Sequence, residues 1–410
     1  MLSVAFVATC PPRQCGIATF AKDLERALKA AGRSVRVSWA AINEPTSLHL
    51  YGPEVRWRIR QGHPESYREA AEHLNRARVD VVSLQHEFGL YGTWGDPFDD
   101  HLPPFLVALR KPLVTTLHSV LPDPTPSVRA SVQRIGHHSR QVVVMAERAR
   151  SLLVEVYGLA PEKVCVIPHG VPPVEPHGRT RMKERFGLSA RTIITTFGLV
   201  DPRKGLEYMI EAMPEVRRQA PSALYLIVGK THPELLRREG ETYRKGLWQL
   251  VQDRGLEEHV AFVDEYLTQP QIVEYLLASD VYVTPYLDPT QITSGTLAYA
   301  LGAGKAIVST RYLHAAEVLA SERGLLVDFR SAGQLAEATL RILLEPDLKR
   351  RLEHNAYTYG RETSWPRVGE LMLAVLRRAA SSPVVQMSDV RPPARSLAAA
   401  AGHKDLVPVA

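Results

Sequence analysis

The stretch TIITTFGLVDPRKG, residues 192–205, places a strand pattern, a glycine and two cations directly before a helix pattern. Residues 192–197 are β-branched or aromatic, which predicts a buried strand. Gly198 permits close approach of a ligand to the backbone, and Arg203 and Lys204 precede a helix predicted over residues 205–219. A helix N-terminus with two cations beside it attracts phosphate. The alternative is a solvated loop with incidental basic residues, and this stretch alone does not decide between the two.

Strand patterns of the same kind alternate with helix patterns on both sides of this stretch. Short apolar strands separated by helices predict parallel sheets that helices cover on both faces. The predicted strands are residues 2–8, 35–41, 79–84, 112–117, 141–145 and 164–167, then 192–197, 224–228, 259–263, 281–284, 306–309 and 324–327. The predicted helices are residues 19–31, 66–77, 98–110 and 146–157, then 205–219, 237–254, 269–278 and 296–301.

The proline-rich segment at residues 168–176 interrupts this alternation. Proline continues neither a helix nor a central strand, so the segment predicts an interdomain linker. We therefore expect an α/β fold with two Rossmann-like, doubly wound parallel-sheet domains that face a cleft. Ligands bind beyond the carboxyl ends of the strands in such sheets, which makes the cleft the expected active site.

Length and composition indicate a globular protein of two or three domains, with 410 residues of which 45% are hydrophobic and 23% charged. No basic region precedes the apolar run at residues 2–8, which favours a first strand over a signal peptide. Three cysteines in no zinc-binding spacing indicate reduced thiols. No apolar run reaches the roughly 18 residues that a membrane helix needs. We expect a cytoplasmic protein.

The net charge of +6 favours anionic partners. The basic residues are scattered and no nucleic-acid-binding module is visible, so nucleic acid is not an expected partner. The basic segment at residues 56–60 is interpreted as a solvated face. The alternative is peripheral contact with the inner membrane face or with an anionic lipid acceptor.

Three further strand ends hold candidate ligand contacts. Gly16 opens a helix after the first strand, where free N–H groups attract an anion, although a tight turn accounts for it as well. His118 follows the strand at 112–117 and either bonds a polar ligand or caps the strand. His86 and Glu87 lead into an aromatic loop at residues 91–95, a combination suited to a carbohydrate acceptor. A metal at His86 and Glu87 has no visible third ligand, so none is expected.

Ser294, Gly295 and Thr296 begin a helix after the strand at 281–284 and offer a second helix N-terminus to an anion. A plain turn and helix cap accounts for the serine and the threonine as well. The anion interpretation is favoured because this N-terminus would face the phosphate stretch at residues 198–205.

The order of these segments resembles the retaining family-4 (group 1) glycosyltransferases, which have the GT-B fold. The similarity runs from about residue 3 to residue 378, and each motif is weak while their ordered sum is specific. The similar segments are the turn at Gly16 and residues 116–118, 167–171, 202–205, 226–229, 298–304, 316–318, 324–327 and 363–365.

This resemblance implies an acceptor-side domain at residues 1–170, a linker at 171–190 and a nucleotide-sugar-binding domain at 191–362. A helix at 363–380 returns to the first domain in the family, and residues 381–410 are expected to be a flexible tail. Among the catalytic residues, Lys204, helped by Arg203, would bind the donor diphosphate, and His118 would lie near the donor sugar. The implied donor-binding residues are Gly16, Gly198, Gly229, Asp264, Gln291, Ser294, Gly295, Thr296 and Tyr299.

Three positions depart from the usual pattern of the family. Leu199 stands where an arginine usually follows the glycine of the phosphate segment. Gln291 and Tyr299 stand where two glutamates usually contact the donor sugar and the ribose. Because each replacement removes a charge, the identity of the donor stays open.

The expected activity is transfer of a hexosyl group, of mannose or glucose type, from a donor such as GDP-mannose or UDP-glucose to a saccharide or glycolipid acceptor. No metal or other cofactor is expected, because the family's leaving phosphate is thought to help deprotonate the acceptor. Alternatives within enzymes are a GT-B phosphorylase, which needs a pyridoxal-phosphate lysine, and a sugar-nucleotide epimerase, which a carboxylate pair would support. The alternative outside enzymes is a non-catalytic sugar-nucleotide-binding or scaffold protein, which only the two replaced glutamates support.

Overall fold

A computed structural model of the chain describes residues 1–32, 34–44, 49–95 and 97–381. The tail predicted at residues 381–410 lies outside these ranges, apart from Ser381. The described residues form two open, parallel sheets of seven and six strands, which confirms the predicted α/β fold. No helix in the described part of the chain is long and apolar enough to cross a membrane.

The first sheet has the strand order β3-β2-β1-β4-β7-β8-β9, and the short strands β5 and β6 pair separately. The strands are β1 (Leu2–Ala8), β2 (Val35–Asn43), β3 (Val55–Arg60), β4 (Val81–His86), β5 (Gly92–Thr93), β6 (Asp99–Asp100), β7 (Leu113–Leu117), β8 (Gln141–Val144) and β9 (Val164–Val166). The helices of this half are α1 (Gly16–Ala31), α2 (Pro64–Arg76), α3 (Pro103–Ala108), α4 (Pro126–His138) and α5 (Glu147–Glu155).

The second sheet has the order β12-β11-β10-β13-β14-β15. Its strands are β10 (Thr192–Phe197), β11 (Ala223–Val228), β12 (Val260–Val263), β13 (Val281–Thr284), β14 (Ala306–Thr310) and β15 (Leu325–Val327). The remaining helices are α6 (Arg179–Arg185), α7 (Leu206–Gln219), α8 (Pro233–Glu239), α9 (Thr242–Asp253), α10 (Gln269–Ala278), α11 (Gly295–Gly302), α12 (Leu313–Val318), α13 (Ala332–Leu344), α14 (Pro346–Glu362) and α15 (Trp365–Ser381).

The central strands of each sheet are buried on both faces, which is why they are continuous apolar runs. Successive side chains of a strand point to opposite faces. In β1, Ala5 and Val7 therefore pack into one core cluster, while Val4 and Phe6 pack into the cluster on the other face. Burying one valine or phenylalanine side chain completely stabilises the fold by roughly 1.5–3 kcal/mol relative to leaving it exposed.

The chain crosses between the halves twice, and the two crossings pair with each other. The N–H of Val171 donates to the carbonyl of Thr363 at 3.0 Å, and the N–H of Trp365 donates to the carbonyl of Val171 at 2.8 Å. Beyond this point α15 packs on α1, where a Cβ on Gly369 would lie 2.6 Å from the carbonyl oxygen of Ala27. The last described helix therefore belongs to the core of the first half.

Two predicted helices are shorter or divided in the structure. The helix predicted at 98–110 is reduced to α3, because Pro103 and Pro104 suit the first turn of a helix and not its interior. The helix predicted at 237–254 is divided into α8 and α9 at Gly240, whose φ of 62° ends the first of them. A positive φ of this kind favours glycine.

Several elements were not predicted, namely the strand β3, the short strands β5 and β6, and the helices α4, α6, α12, α13 and α14. The segment at residues 56–60 is part of the edge strand β3, in which Arg56, Arg58 and Arg60 are exposed while Ile59 is buried. The linker predicted at 171–190 contains the helix α6, whose Lys183 bonds to the carboxylate of Asp280 at 2.6 Å.

Candidate active site

A cavity of about 560 Å³ lies at the carboxyl ends of both sheets, and both halves of the chain line it. Its walls are formed by the segments that follow β1, β4 and β7 in the first half and β10 to β13 in the second. In the first sheet β1 lies between β2 and β4, and in the second β10 lies between β11 and β13. These are the points where the strand order reverses, at which open α/β sheets bind their ligands.

The N-terminus of α1 opens on this cavity at Gly16. The preceding residue, Cys15, makes no side-chain cap, so the first N–H groups of the helix lack the usual partner. Gly16 is exposed, and a Cβ at this position would meet no atom within 4 Å. The structure therefore leaves room for an anion against the backbone here.

The N-terminus of α11 opens on the same cavity at Gly295 and Thr296. Ser294 caps the helix by accepting the N–H of Leu297 at 3.3 Å, and its own N–H donates to Nδ1 of His314 at 3.1 Å. Ser294 is buried and is not among the lining residues. It acts as the cap that the alternative interpretation described, while Gly295 and Thr296 face the cavity.

The phosphate stretch contributes two cations, of which Arg203 is paired with a carboxylate and Lys204, within the described residues, is not. Asp201 accepts the N–H of Arg203 and holds its guanidinium through Nε at 2.9 Å and a second nitrogen at 3.0 Å. Lys204 extends over the ring of Tyr286, with Nζ 3.8 Å from the ring centroid. Lys204 thus lines the cavity without a carboxylate partner among the ion pairs of the described residues.

The glycines at the ends of β10 and β11 approach each other closely. Gly198 and Gly229 have φ values of 129° and 140°, and a Cβ on Gly229 would lie 2.0 Å from the carbonyl oxygen of Gly198. No side chain fits between these two turns, so both glycines line the cavity with backbone. Leu199 also lines it, at the position where the family has an arginine.

His118 is held in one tautomer by the residues beneath it. The amide nitrogen of Gln85 donates to the hydroxyls of Ser83 and Thr116, so its oxygen accepts Nε2–H of His118 at 3.0 Å. Nδ1 of His118 is then an acceptor. Burial lowers the pKa of His118 to about 3, with smaller effects of His169 and His86 in the same direction. The ring is therefore neutral and lines the cavity.

The two acceptor candidates point to opposite sides. Glu87 lines the cavity, where its carboxylate accepts the hydroxyl of Ser119 at 2.7 Å and the N–H of Phe88 at 3.1 Å. Burial raises the pKa of Glu87. His86 points into the core instead and stacks on Tyr91 at 5.3 Å. Neighbouring residues of an extended backbone face opposite ways, so the structure does not bring His86 to the cavity.

Asp264 is also not a lining residue. Its carboxylate is half-exposed and bonds to Arg244 at 3.2 Å, and the same guanidinium donates to the carbonyl of Gly229. The residues that follow it, Glu265 and Tyr266, line the cavity in its place. The donor-binding role predicted for Asp264 therefore has no geometric support.

Gln291 and Tyr299 both line the cavity. The side-chain amide nitrogen of Gln291 donates to the carbonyl of Thr293 at 3.0 Å. The side-chain oxygen of Gln291 can therefore accept a hydrogen bond from a ligand. The hydroxyl of Tyr299 donates to the carboxylate of Asp23 and accepts from the amide of Gln269. Asp23 lies on α1, so this contact joins the two halves.

Sequence reasoning missed several lining residues, of which His169 is the clearest. It lines the cavity beside Gly295, where a Cβ would lie 2.9 Å from its Nε2. Its position in the segment that follows the end of β9 was the available indication. Nothing in the sequence indicated Gln269, at the start of α10, because its position in the cavity depends on how the two halves pack together. The other missed residues include Lys230, His232, Tyr266, Asp288 and Thr290.

Within the described ranges, no group of three or more histidine, cysteine, aspartate or glutamate side chains is placed to hold a metal ion. The expectation that the reaction needs no metal stays a prediction.

Two family models match consecutive parts of the chain. The model for glycosyltransferase family 4 matches residues 15–175, and the model for glycosyl transferases group 1 matches residues 179–359. The chain belongs to the family-4, group 1 glycosyltransferases. The boundary between the two matches lies within the first crossing between the halves.

Two curated relatives have the name GDP-mannose-dependent alpha-(1-6)-phosphatidylinositol monomannoside mannosyltransferase. The protein of Mycobacterium tuberculosis is 26% identical over 346 residues, which are 80% of this chain and 78% of that protein. The protein of Mycolicibacterium smegmatis is 29% identical over 167 residues, so the chain spans 40% of its length in that match.

Among solved structures, the chain is similar to sucrose-phosphate synthase from Thermosynechococcus elongatus, with a TM-score of 0.72 and 19% identity. The match covers 92% of this glycosyltransferase and 99% of that protein. It supports the GT-B arrangement of the two sheets.

Proposed function

We propose that this glycosyltransferase transfers a mannose-type hexosyl group, with retention of configuration, from a nucleotide-diphosphate sugar to a saccharide or glycolipid acceptor. The observation that supports it best is the convergence of three anion-binding elements on one cavity. These are the N-terminus of α1 at Gly16, the N-terminus of α11 at Gly295, and Lys204. Two helix N-termini and a cation match the two phosphates of such a donor.

In the proposed reaction these elements act on the leaving group. Negative charge develops on the departing diphosphate, and fixed N–H groups with a lysine stabilise it without reorganising. Gly198 and Gly229 let the nucleotide approach the ends of β10 and β11, because neither carries a side chain there. The nucleotide base would then lie towards Tyr266 and His232.

The donor sugar would lie between His118 and the α11 N-terminus. Nδ1 of the neutral His118 accepts a hydrogen bond from a sugar hydroxyl, and the free amide oxygen of Gln291 accepts another. Four carboxylates of the described residues line the cavity, and three of them, Glu87, Asp201 and Asp288, are bonded to neighbouring donors. The fourth, Glu265, lies next to Tyr266, on the side proposed for the nucleotide base. This supports front-face attack assisted by the leaving phosphate over a covalent step on the protein.

GDP-mannose is the donor that we favour, because two curated relatives are named for it. The test incubates the protein with GDP-mannose, GDP-glucose, UDP-glucose and UDP-galactose and a mixture of neutral and phosphorylated saccharides. Released nucleoside diphosphate and the anomeric configuration of the product are measured. Release from GDP-mannose with an α-linked product is expected. An inverted product, or no release from any of the four donors, contradicts the proposal.

A further inference from the structure

The two walls of the cavity differ in charge. Within the described residues, every lysine and arginine that lines the cavity comes from the second half, namely Arg203, Lys204 and Lys230. The first-half wall, formed by lining residues between Gly16 and Leu121, contributes no lysine or arginine. Its histidine, His118, is neutral because burial lowers the pKa to about 3. Apart from the N-terminus of α1 at Gly16, which the proposed function assigns to the donor diphosphate, the first-half wall therefore offers no positive charge to an anionic ligand.

The first-half wall instead presents the carboxylate of Glu87. This group is fixed, since Ser119 donates to one oxygen at 2.7 Å and the N–H of Phe88 donates to the other at 3.1 Å. Each oxygen keeps a further lone pair, which suits the hydroxyl of a ligand. Arg203 is the cation that acts on Glu87 across the cavity, but its guanidinium already bonds to Asp201 at 2.9 and 3.0 Å.

Apolar residues share the cavity lining with this carboxylate, and an aromatic pair follows it along the chain. Ile17, Val120, Leu121 and Ile292 line the cavity with it. The neighbouring residue, Phe88, stacks on Trp94 with ring centroids 4.9 Å apart and planes at 24°. Trp94 is 52% exposed, so one part of its ring is open to solvent. An exposed aromatic face suits a sugar ring, whose C–H face packs on it.

We propose that the acceptor is a neutral glycoside, which presents a hydroxyl to Glu87, places a further sugar unit on Trp94, and has no phosphate or carboxylate beside the reacting hydroxyl. This inference rests on the proposed function and adds the chemical class of the acceptor. A phosphate at this position would meet the carboxylate of Glu87 with no cation on the same wall. Like charges placed together in this way discriminate strongly against the wrong ligand.

The test compares acceptors in matched pairs with GDP-mannose as donor. The pairs are mannose with mannose 6-phosphate, and myo-inositol with inositol 1-phosphate; α-mannobiose is the two-unit acceptor. The neutral member of at least one pair should exceed its phosphorylated partner by about tenfold or more in kcat/KM. A phosphorylated member that equals or exceeds its neutral partner in both pairs overturns the inference.

Two variants separate a specific role from a structural one. Glu87→Gln should reduce the preference for the neutral member, because the repulsion of the phosphate disappears. Glu69→Gln, an exposed carboxyl on α2, should leave the ratio unchanged. Trp94→Ala should lower kcat/KM for α-mannobiose more than kcat/KM for mannose. The control is Trp248→Ala, which removes a tryptophan that is 50% exposed on α9. An unchanged preference in Glu87→Gln contradicts the role of Glu87.

Binding of GDP, measured calorimetrically on the same samples, distinguishes the two levels of the proposal. If GDP binds but saturation-transfer NMR in its presence detects no neutral saccharide at millimolar concentration, only the acceptor inference is wrong. If the protein binds neither GDP nor UDP, the proposed function is wrong and the acceptor inference falls with it.

Discussion

The hydroxyl of Tyr299, on α11, donates to Oδ2 of Asp23, on α1, at 3.3 Å across the junction of the two halves. The amide of Gln269 donates to the same carboxylate oxygen and to the tyrosine hydroxyl, each at 2.8 Å. Asp23 is 4% exposed, and burial raises its pKa. The hydroxyl of Tyr299 thus forms a contact between the halves, at a position where related enzymes usually have a ligand-binding glutamate.

Removing this hydroxyl should loosen the junction. Tyr299→Phe deletes one hydrogen bond to a buried carboxylate, which costs about 1–3 kcal/mol. We expect a lower melting temperature in differential scanning calorimetry, whereas Tyr208→Phe, a partly buried tyrosine on α7, should change it little. Equal melting temperatures for Tyr299→Phe and the unmodified protein would show that the contact contributes nothing.

A methyl group at Gly16 should separate ligand binding from folding. A Cβ there meets no protein atom within 4 Å, so Gly16→Ala should fold with unchanged melting temperature. The same methyl would occupy the space against the α1 N-terminus and weaken GDP binding by about tenfold, since charge-assisted bonds to N–H groups are worth roughly 1.5–3 kcal/mol.

Gly229→Ala is the opposite case and serves as the comparison. Its Cβ would lie 2.0 Å from the carbonyl oxygen of Gly198, and its φ of 140° disfavours alanine. This variant should lose thermal stability as well as GDP binding. Unimpaired GDP binding by Gly16→Ala, measured by calorimetry, would remove Gly16 from the donor site.

His118 should affect turnover without setting the pH optimum. Because burial lowers its pKa to about 3, the ring stays neutral near pH 6.5, and kcat should show no inflection there from this group. His118→Ala should lower kcat by about tenfold or more, through the lost hydrogen bond to the sugar. GDP binding should remain; equal losses of kcat and GDP affinity would move His118 away from the sugar.

Four histidines with lowered pKa values should make the fold sensitive to mild acid. Burial lowers the pKa of His86, His118 and His314 to about 3 and that of His169 to about 4. Between about pH 6.5 and 4 the unfolded chain binds protons that the folded chain does not. Stability therefore falls as the pH decreases through this window, by up to about 1.4 kcal/mol per pH unit for each group.

His86 provides the test, since it lies in the core and away from the cavity. His86→Phe keeps a ring for the stack on Tyr91 and removes the buried Nδ1 that has no partner. The dependence of melting temperature on pH between 7 and 4.5 should become shallower. His177→Phe, an exposed histidine, should leave it unchanged. An identical slope in His86→Phe would contradict the burial argument.

The fold was largely predictable because the strands of a doubly wound sheet are continuous apolar runs. β3 was not predicted because it is an edge strand without an apolar run. The exposed Arg56, Arg58 and Arg60 alternate in it with residues that are partly or fully buried. Gly240 was not recognised as a helix end, since a single glycine is tolerated within a helix until the structure shows its positive φ.

The site was predictable where local geometry determines it. Lys204, Gly16 and Gly295 follow strand ends, and the carboxyl ends of parallel strands meet at one edge. The junction of Tyr299 with Asp23 was not, because two residues 276 positions apart meet only through the packing of one half on the other. Ser294 and His86 were over-interpreted, since a helix cap and a core histidine have the same sequence as a ligand contact.

The central claim is that Lys204 and the two helix N-termini hold the diphosphate of the donor. The most direct measurement is calorimetric titration of GDP into the protein and into Lys204→Met, with Lys245→Met, an exposed lysine on α9, as the control. We predict that the dissociation constant rises by about tenfold or more in Lys204→Met, because a charge-assisted contact is lost, and stays the same in Lys245→Met. The same dissociation constant in all three proteins would contradict the account.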